Sequence, residues 1–510
     1  MNIQQSCRLM RSWLQDCRDY HSACQGDSAA GLPTRVIDVG SSSENARLYV
    51  TKREPVSYVA LSHCWGGSNP QITTQDTLDK FQEHIPLTSE SQTFLDAMEV
   101  TRALGVKYLW IDSLCIIQGD DHDWAVEAAK MADIYANATV TLSADCAPNA
   151  SSGLFSNEPA RAEAHQSCEI QCSNPDDNSS VTIKSRTRTY YSMHTLPHTC
   201  ILGNQPSKLS TRGWTLQERV LSKRIIHFYK EELVWSCATL QRCECRLSSL
   251  DPKKTGINFL TSIKRSSDEL LECWPIEVSA FTKRGLTYST DRLAAVSGLA
   301  ALIHEEVGGR YLCGHWERSM EDSLLWASDH GQYVKRPVQR IPDTPYAPSW
   351  SWASVDGPIQ LMGWACAIEM KFVQGVTETR TANPYGPVSM GRVTLRGRVV
   401  PLTWDADSNP VPWFTAEHST IEASWRSEDI MFDALAESVD SEMRKSSFAL
   451  LLAGVQPTEH ELSLDQTFLG MLLRTDCLIG NSIYERRGLL HDNCPRGFWD
   501  EVPVQDVTIE

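Results

Sequence analysis

Three short stretches concentrate side chains that can do acid–base or nucleophilic chemistry. They are His63-Cys64-Trp65-Gly66, Asp112-Ser113-Leu114-Cys115 and the run from Arg212 to Glu218, RGWTLQE. A thiol at Cys64 needs a lowered pKa, from an imidazolium or a helix N-terminus, before it becomes a nucleophile. The plainer alternative is that one of His63 and Cys64 packs inward while the other holds the loop. Asp112 is placed to orient a histidine or bind a ribose hydroxyl, or else to satisfy neighbouring backbone N–H groups. Cys115 is either a nucleophile in a cleft or one of the apolar plugs of LCII. Thr215 and Glu218 satisfy the Ser/Thr-x-x-Glu capping-box pattern, which gives Glu218 a purely structural reading. Its other reading is a carboxylate that works as general acid/base or steadies an oxocarbenium-like ribosyl centre. The catalytic candidates are therefore Glu218, Asp112, His63 and Cys115, and the substrate-binding candidates are Cys64, Trp65, Gln118, Arg212 and Trp214. A carboxylate rather than a thiol is the expected essential group, because apolar surroundings raise thiol pKa values and suppress the thiolate.

These residues need elements to hold them. YVALS from Tyr58 and VKYLWI at 106–111 are continuous apolar runs, as is TVTLSA at 139–144. Between them, Gln92 to Leu104 and DWAVEAAKMADIYANA carry apolar residues at the helical period, with Asp123 as a cap for the second. Strand, helix, strand, helix, strand with doubly buried strands implies parallel pairing and right-handed crossovers. The reading is a doubly wound α/β core, whose sites lie outside the carboxyl ends of the strands. His63 and Asp112 occupy two such ends, so they and the 212–218 segment should converge on one cleft.

The remainder divides into an N-terminal helical segment at 1–57, an α/β domain at 58–245 with an insertion at about 155–208, a mostly helical region at 246–344, and a β-rich region at 345–510. The insertion carries a short strand near VTIKSR. GRVTLRGRVV, SFALLLAG and TFLGMLLRTDCL suggest a C-terminal antiparallel sheet or barrel. In APSWSWASV, Trp350 and Trp352 alternate with Ser, so a strand there would put both indoles on one buried face docked on the α/β unit.

With 510 residues, the chain is long enough for about three units. Its net charge of -17 repels polyphosphate backbones and anionic bilayers, which disfavours nucleic acid and membrane surfaces as partners. No apolar run is long enough to span a bilayer, and the 17 cysteines are scattered over a long chain, so a soluble, cytoplasmic protein with reduced thiols is expected. Gly66-Gly67 is too short for a phosphate loop, and no Walker or Rossmann glycine pattern follows a strand. Cys17, His21 and Cys24 sit at i, i+4 and i+7, with Cys7 earlier, but lack paired-knuckle spacing. A packed helix face is the preferred reading, and no metal or cofactor is assigned. Cys237, Cys243 and Cys245 are read as structural thiols.

YVALSHCWGG, LWIDSLCIIQGDDHDW through IYANA, and RGWTLQERVLSKRIIHF closely resemble the three signature blocks of the fungal heterokaryon incompatibility (HET) domain. CRDYHSAC, YSTDRLAAVSGLA, YLCGHW, LLW and APSWSWASVDG resemble segments that recur around it. One departure is Ile117, where Asn is usual. The resemblance implies a cytosolic fungal protein of allorecognition and programmed cell death. HET domains have been likened to TIR domains, some of which cleave NAD, and HET-like chains in biosynthetic gene clusters imply an enzymatic role on a small organic substrate. Two further expectations are a small-molecule or nucleotide ligand and, in a non-catalytic reading, protein partners or self-association.

Overall fold

The computed structural model describes residues 3–25, 31–66, 71–155, 167–173, 180–186, 207–229, 233–244, 249–250, 266–329, 338–341, 347–361, 367–405, 413–418, 421–426, 430–433, 447–455, 465–475, 483–495 and 497–510. The chain forms two compact units, Met1–Lys264 and Arg265–Glu510.

The first unit opens with helix α1 (Ile3–Tyr20), whose Met10, Trp13, Leu14 and Cys17 recur at three- and four-residue steps and are buried. Each large apolar side chain buried this way is worth about 1.5–3 kcal/mol. Strands β1 (Arg35–Asp38) and β2 (Arg47–Val50) follow, then β3 (Tyr58–Ser62), helix α2 (Leu78–Glu83), helix α3 (Gln92–Ala103) and β4 (Tyr108–Ile111). Beyond β4 lie the one-turn helix α4 (Asp112–Cys115), helices α5 (Asp121–Ala128) and α6 (Met131–Asn137), and β5 (Thr141–Ser143). A hairpin of β6 (Ser167–Ser173) and β7 (Ser180–Arg186) precedes helix α7 (Thr215–Leu221). Strands β8 (Arg224–Phe228), β9 (Leu233–Cys237), β10 (Gln241–Cys243) and β11 (Ser249–Leu250) complete the unit.

Nine strands make one sheet in the order β11-β10-β9-β8-β5-β3-β4-β1-β2. Its middle, β8-β5-β3-β4, is parallel, and both flanks are antiparallel. The sheet is thus mixed and wider than the parallel core expected from sequence, because β1 and β2 come from the segment expected to be helical. In chain order the four parallel strands run 2-1-3-4, so the winding direction reverses between β3 and β5. Right-handed crossovers then place α3 on one face and α6 and α7 on the other. Contacts of α1 with α3 and of α6 with α7 agree with this layering.

The helix expected over DWAVEAAKMADIYANA is two helices, α5 and α6. Its cap is Asp120, whose carboxylate accepts the backbone N–H groups of His122 and Asp123. Asp123 instead pairs with the buried Arg35 at 2.5 Å and accepts the N–H of Ile117.

In the second unit, helix Ser267–Thr282 starts at a full capping box of Ser266 and Glu269 and is followed by helix Ser297–Val307. Strand Val388–Asp405 pairs with Ser447–Val455 and with Val504–Ile509. Strands Asp465–Thr475 and Ile483–Pro495 close the remaining gap, so five strands form a ring. Two apolar clusters line the strands: Leu395, Leu451, Met471 and Val507 belong to one, Val400, Leu450, Phe468 and Leu490 to the other. Trp350 and Trp352 are both buried, but not on a strand, since Trp352–Ser354 is a 3-10 turn. The indoles donate to different carbonyls, Trp350 to Gly391 and Trp352 to Gly314, and their described contacts lie within the second unit.

Candidate active site

Register places the site. Ser62 pairs with Ser143, and Ser143 with His227, so the ends of β3, β5 and β8 are level. Leu61 pairs with Ile111, which puts Asp112 beside Ser62 at the end of β4. Ser62 to Trp65, Asp112, Ser143 to Asp145, and His227 thus form one row outside the carboxyl ends of the parallel strands. The reversal point between β3 and β5 falls in the middle of that row, where open α/β sheets bind their ligands.

Helix α7 brings Glu218 to the same row. Its carboxylate is hydrogen-bonded to Ser62 and Tyr135, with the charges of Asp112 and Arg212 nearby. The capping box read from sequence is shifted: the N-cap position falls on Trp214 rather than Thr215, and Thr215 Oγ1 donates to the carbonyls of Leu209 and Arg212, at 2.8 Å each. Glu218 is only 5% exposed. Burial, reinforced by Asp112, pushes its carboxyl up to about 7, although Ser62, Arg212 and Tyr135 oppose the rise.

His63 is buried and packs edge-to-face on Phe94 of α3. Its Nδ1 lies 3.6 Å from Asp112 Oδ1, and neither ring nitrogen makes a hydrogen bond among the described residues. Burial lowers its pKa, with Asp112 pulling the other way, so the ring is neutral at pH 7. Asp112 is fixed from two sides, accepting the Trp65 indole N–H at 2.8 Å and the N–H of Ser113 at 2.7 Å. The loop after Trp65 turns at Gly66, whose φ of 72° and closeness to Asn149 exclude a Cβ.

Arg212 supplies the cation: it donates to the His63 carbonyl at 3.5 Å and to the Cys64 sulfur. Burial nonetheless raises the Cys64 thiol. Cys115 is fully buried and its thiol is pushed up to about 12, which leaves no thiolate at neutral pH. Gln118 turns inward and donates to the Ile116 carbonyl at 3.0 Å, bracing the loop. Trp214 is half-buried and meets Trp124 edge-to-face at 6.1 Å; with the half-buried Trp65, it gives the row an aromatic border.

Sequence reasoning missed two residues of the row. His227 Nδ1 lies 2.9 Å from Asp145 Oδ2, and Asp145 also accepts the hydroxyls of Ser143 and Ser207 at 2.8 Å each. Burial alone would raise the Asp145 pKa, but these bonds, His227 first, hold it below the ordinary value. Nε2 of His227, like both nitrogens of His63, is buried without a hydrogen bond among the described residues. RIIHF reads as an apolar strand, and only register with Ser143 could have identified its histidine.

A buried acid near neutral pKa, a fixed carboxylate, a guanidinium and two buried imidazoles thus meet at the reversal point of the sheet. Residues 58–218 match the family model "Heterokaryon incompatibility protein (HET)", so the chain carries a HET domain over that stretch. A 91-residue stretch is 35% identical to heterokaryon incompatibility protein 6, OR allele, of Neurospora crassa. That match covers 16% of this chain and 13% of the relative. No solved structure matches. Among the described residues, no helix is long and apolar enough to cross a membrane.

Proposed function

We propose that this chain is a cytosolic effector of fungal allorecognition and cell death whose α/β domain hydrolyses the nicotinamide–ribose bond of a dinucleotide such as NAD. The observation that carries the reading is Glu218, a buried carboxyl near neutral pKa that bonds Ser62 at the end of β3 and lies beside Asp112 at the end of β4. The 2-1-3-4 order of parallel strands supports the likeness to TIR domains, and the name of the Neurospora relative supports the incompatibility role.

The chemistry suits the residues. As the C1′–N bond breaks, its electron pair neutralises the pyridinium, so departing nicotinamide needs no proton. Positive charge then develops at the ribose C1′ and ring oxygen, where the Glu218 carboxylate stabilises it. Water adds to C1′ and gives its proton to the same carboxylate. Arg212 faces the anionic part of the substrate, offsetting locally the repulsion of a chain with net charge -17. The aromatic border of Trp65, Trp124 and Trp214 offers rings for a base to stack on.

The test is nicotinamide release from NAD by purified full-length protein and by Glu218→Gln, with thermal melting of both. Release that falls at least ~100-fold in a folded variant supports the reading. Folded wild-type protein that releases none overturns it. It would favour turnover of a small organic molecule in the same cleft, or a purely interacting role.

A further inference from the structure

Helix α1 ends at Tyr20, so Cys17, His21 and Cys24 do not share a helix face as their spacing suggests. Cys17 lies in the last turn of α1, His21 precedes a 3-10 turn at Ser22–Cys24, and the turn folds Cys24 back beside them. Their fourth neighbour is Cys237, at the end of β9 and 216 residues beyond His21. The ligand atoms of all four lie within 4.8 Å of one another, and all four residues are buried. Nδ1 of His21 faces Cys237 Sγ at 3.4 Å. We propose that Cys17, His21, Cys24 and Cys237 are the ligands of a structural zinc ion that fastens the N-terminal helix to strand β9.

Tetrahedral zinc with Zn–S of about 2.3 Å and Zn–N of about 2.0 Å has ligand–ligand edges of roughly 3.5–3.8 Å, so these four atoms need only small shifts. Three thiols and an imidazole are soft, tetrahedral donors that suit zinc, and four protein ligands leave no open position for catalysis. Three thiolates and one divalent ion sum to one negative charge. The guanidinium of buried Arg224 is placed to balance it, with Nε 3.4 Å from Cys17 Sγ and Nη2 on the Cys24 carbonyl at 2.7 Å. An outer-shell donor is present as well: Thr239 Oγ1 lies 3.6 Å from Cys24 Sγ. On binding, the three thiols release their protons to solvent and His21 enters as neutral imidazole. Cys7 lies ten residues, nearly three turns, before Cys17 on α1 and is not part of the group. Cys243, also read as a structural thiol, is disulfide-bonded, and Cys245 lies outside the described residues.

The experiment is elemental analysis of full-length protein purified without added metal, followed by cobalt exchange. About one zinc per chain is expected, together with the visible bands of tetrahedral, thiolate-ligated cobalt. His21→Ala and Cys237→Ser should lose the zinc, while Cys7→Ser keeps it. Because a ligand variant may fail to fold, wild-type protein is also melted with and without a strong chelator. A lower Tm that added zinc restores supports the site. Wild-type protein that is folded and zinc-free, with an unchanged Tm on adding zinc or chelator, overturns it. So does stoichiometric zinc retained by both ligand variants, or a disulfide between any two of these three cysteines in the native protein.

Discussion

His227 Nδ1 lies 2.9 Å from Asp145 Oδ2, at the ends of two adjacent parallel strands. Both residues are buried, so removing the charge leaves His227 without its anchor in a dry setting. Asp145→Asn should cost about 3 kcal/mol at pH 7. The folded-state pKa of Asp145 is depressed below its ordinary 3.8. Its contribution is therefore complete above that value and is lost as the pH falls through the folded-state value. Urea melts of wild type and variant should converge in strong acid; a gap that widens as the pH falls contradicts the assignment.

Glu218 has the opposite sign. Its folded-state pKa of about 7 stands above the ordinary 4.5, so the folded protein holds a proton that the unfolded chain has given up. Stability falls as the pH rises from 4.5 to 7, by an amount on the order of 3 kcal/mol. Glu218→Gln removes that penalty. The variant should melt higher than wild type at pH 8, with the difference vanishing near pH 4. A lower Tm for the variant at pH 8 would count against a strained, functional carboxyl.

The same titration governs catalysis. If the Glu218 carboxylate steadies the ribosyl cation, kcat/KM for NAD should rise with pH to a plateau, with a midpoint near 7. A profile that falls over that interval would assign the working form to the protonated acid. The pH series of initial rates separates the two.

Cys115 offers a control, being fully buried with its thiol pushed up to about 12. Iodoacetamide at neutral pH should leave it unmodified in the folded protein and label it after denaturation. Cys115→Ser should keep most activity while losing about 1–3 kcal/mol of stability to a buried hydroxyl. Inactivation of the folded variant would restore the thiol to the mechanism.

What the sequence disclosed depended on run length and separation along the chain. YVALS and VKYLWI are apolar enough to read as buried strands, and Gln92 to Leu104 keeps a helical period close to the observed α3. RVID and RLYV, four-residue strands each carrying an arginine, give no such signal, although β1 and β2 complete one flank of the sheet. One helix was read where α5 and α6 stand because Ala129 and Lys130 are ordinary helix formers. Tertiary contacts decide there: Lys130 Nζ bonds the buried Glu127 at 2.8 Å and Thr34 at 3.0 Å. At the site, Asp112 and His63 were legible as strand ends. Asp145, His227 and Cys237 were not, because each gains its meaning only from a strand or turn far away in sequence.

The contact between α1 and β9 also sets an order of events during synthesis. Trp13 meets Trp235 at 6.4 Å, and His21 meets Cys237 at 3.4 Å. The first helix therefore leaves the ribosome with an apolar face whose partner is not yet made. At cellular elongation speeds, the wait is roughly 10–40 s. Throughout that interval Met10, Trp13 and Leu14 must be shielded by a chaperone or by transient contacts. A fragment cut to residues 58–218 avoids that wait, lacking α1 and β9 together, but it also lacks strand β8 and with it His227.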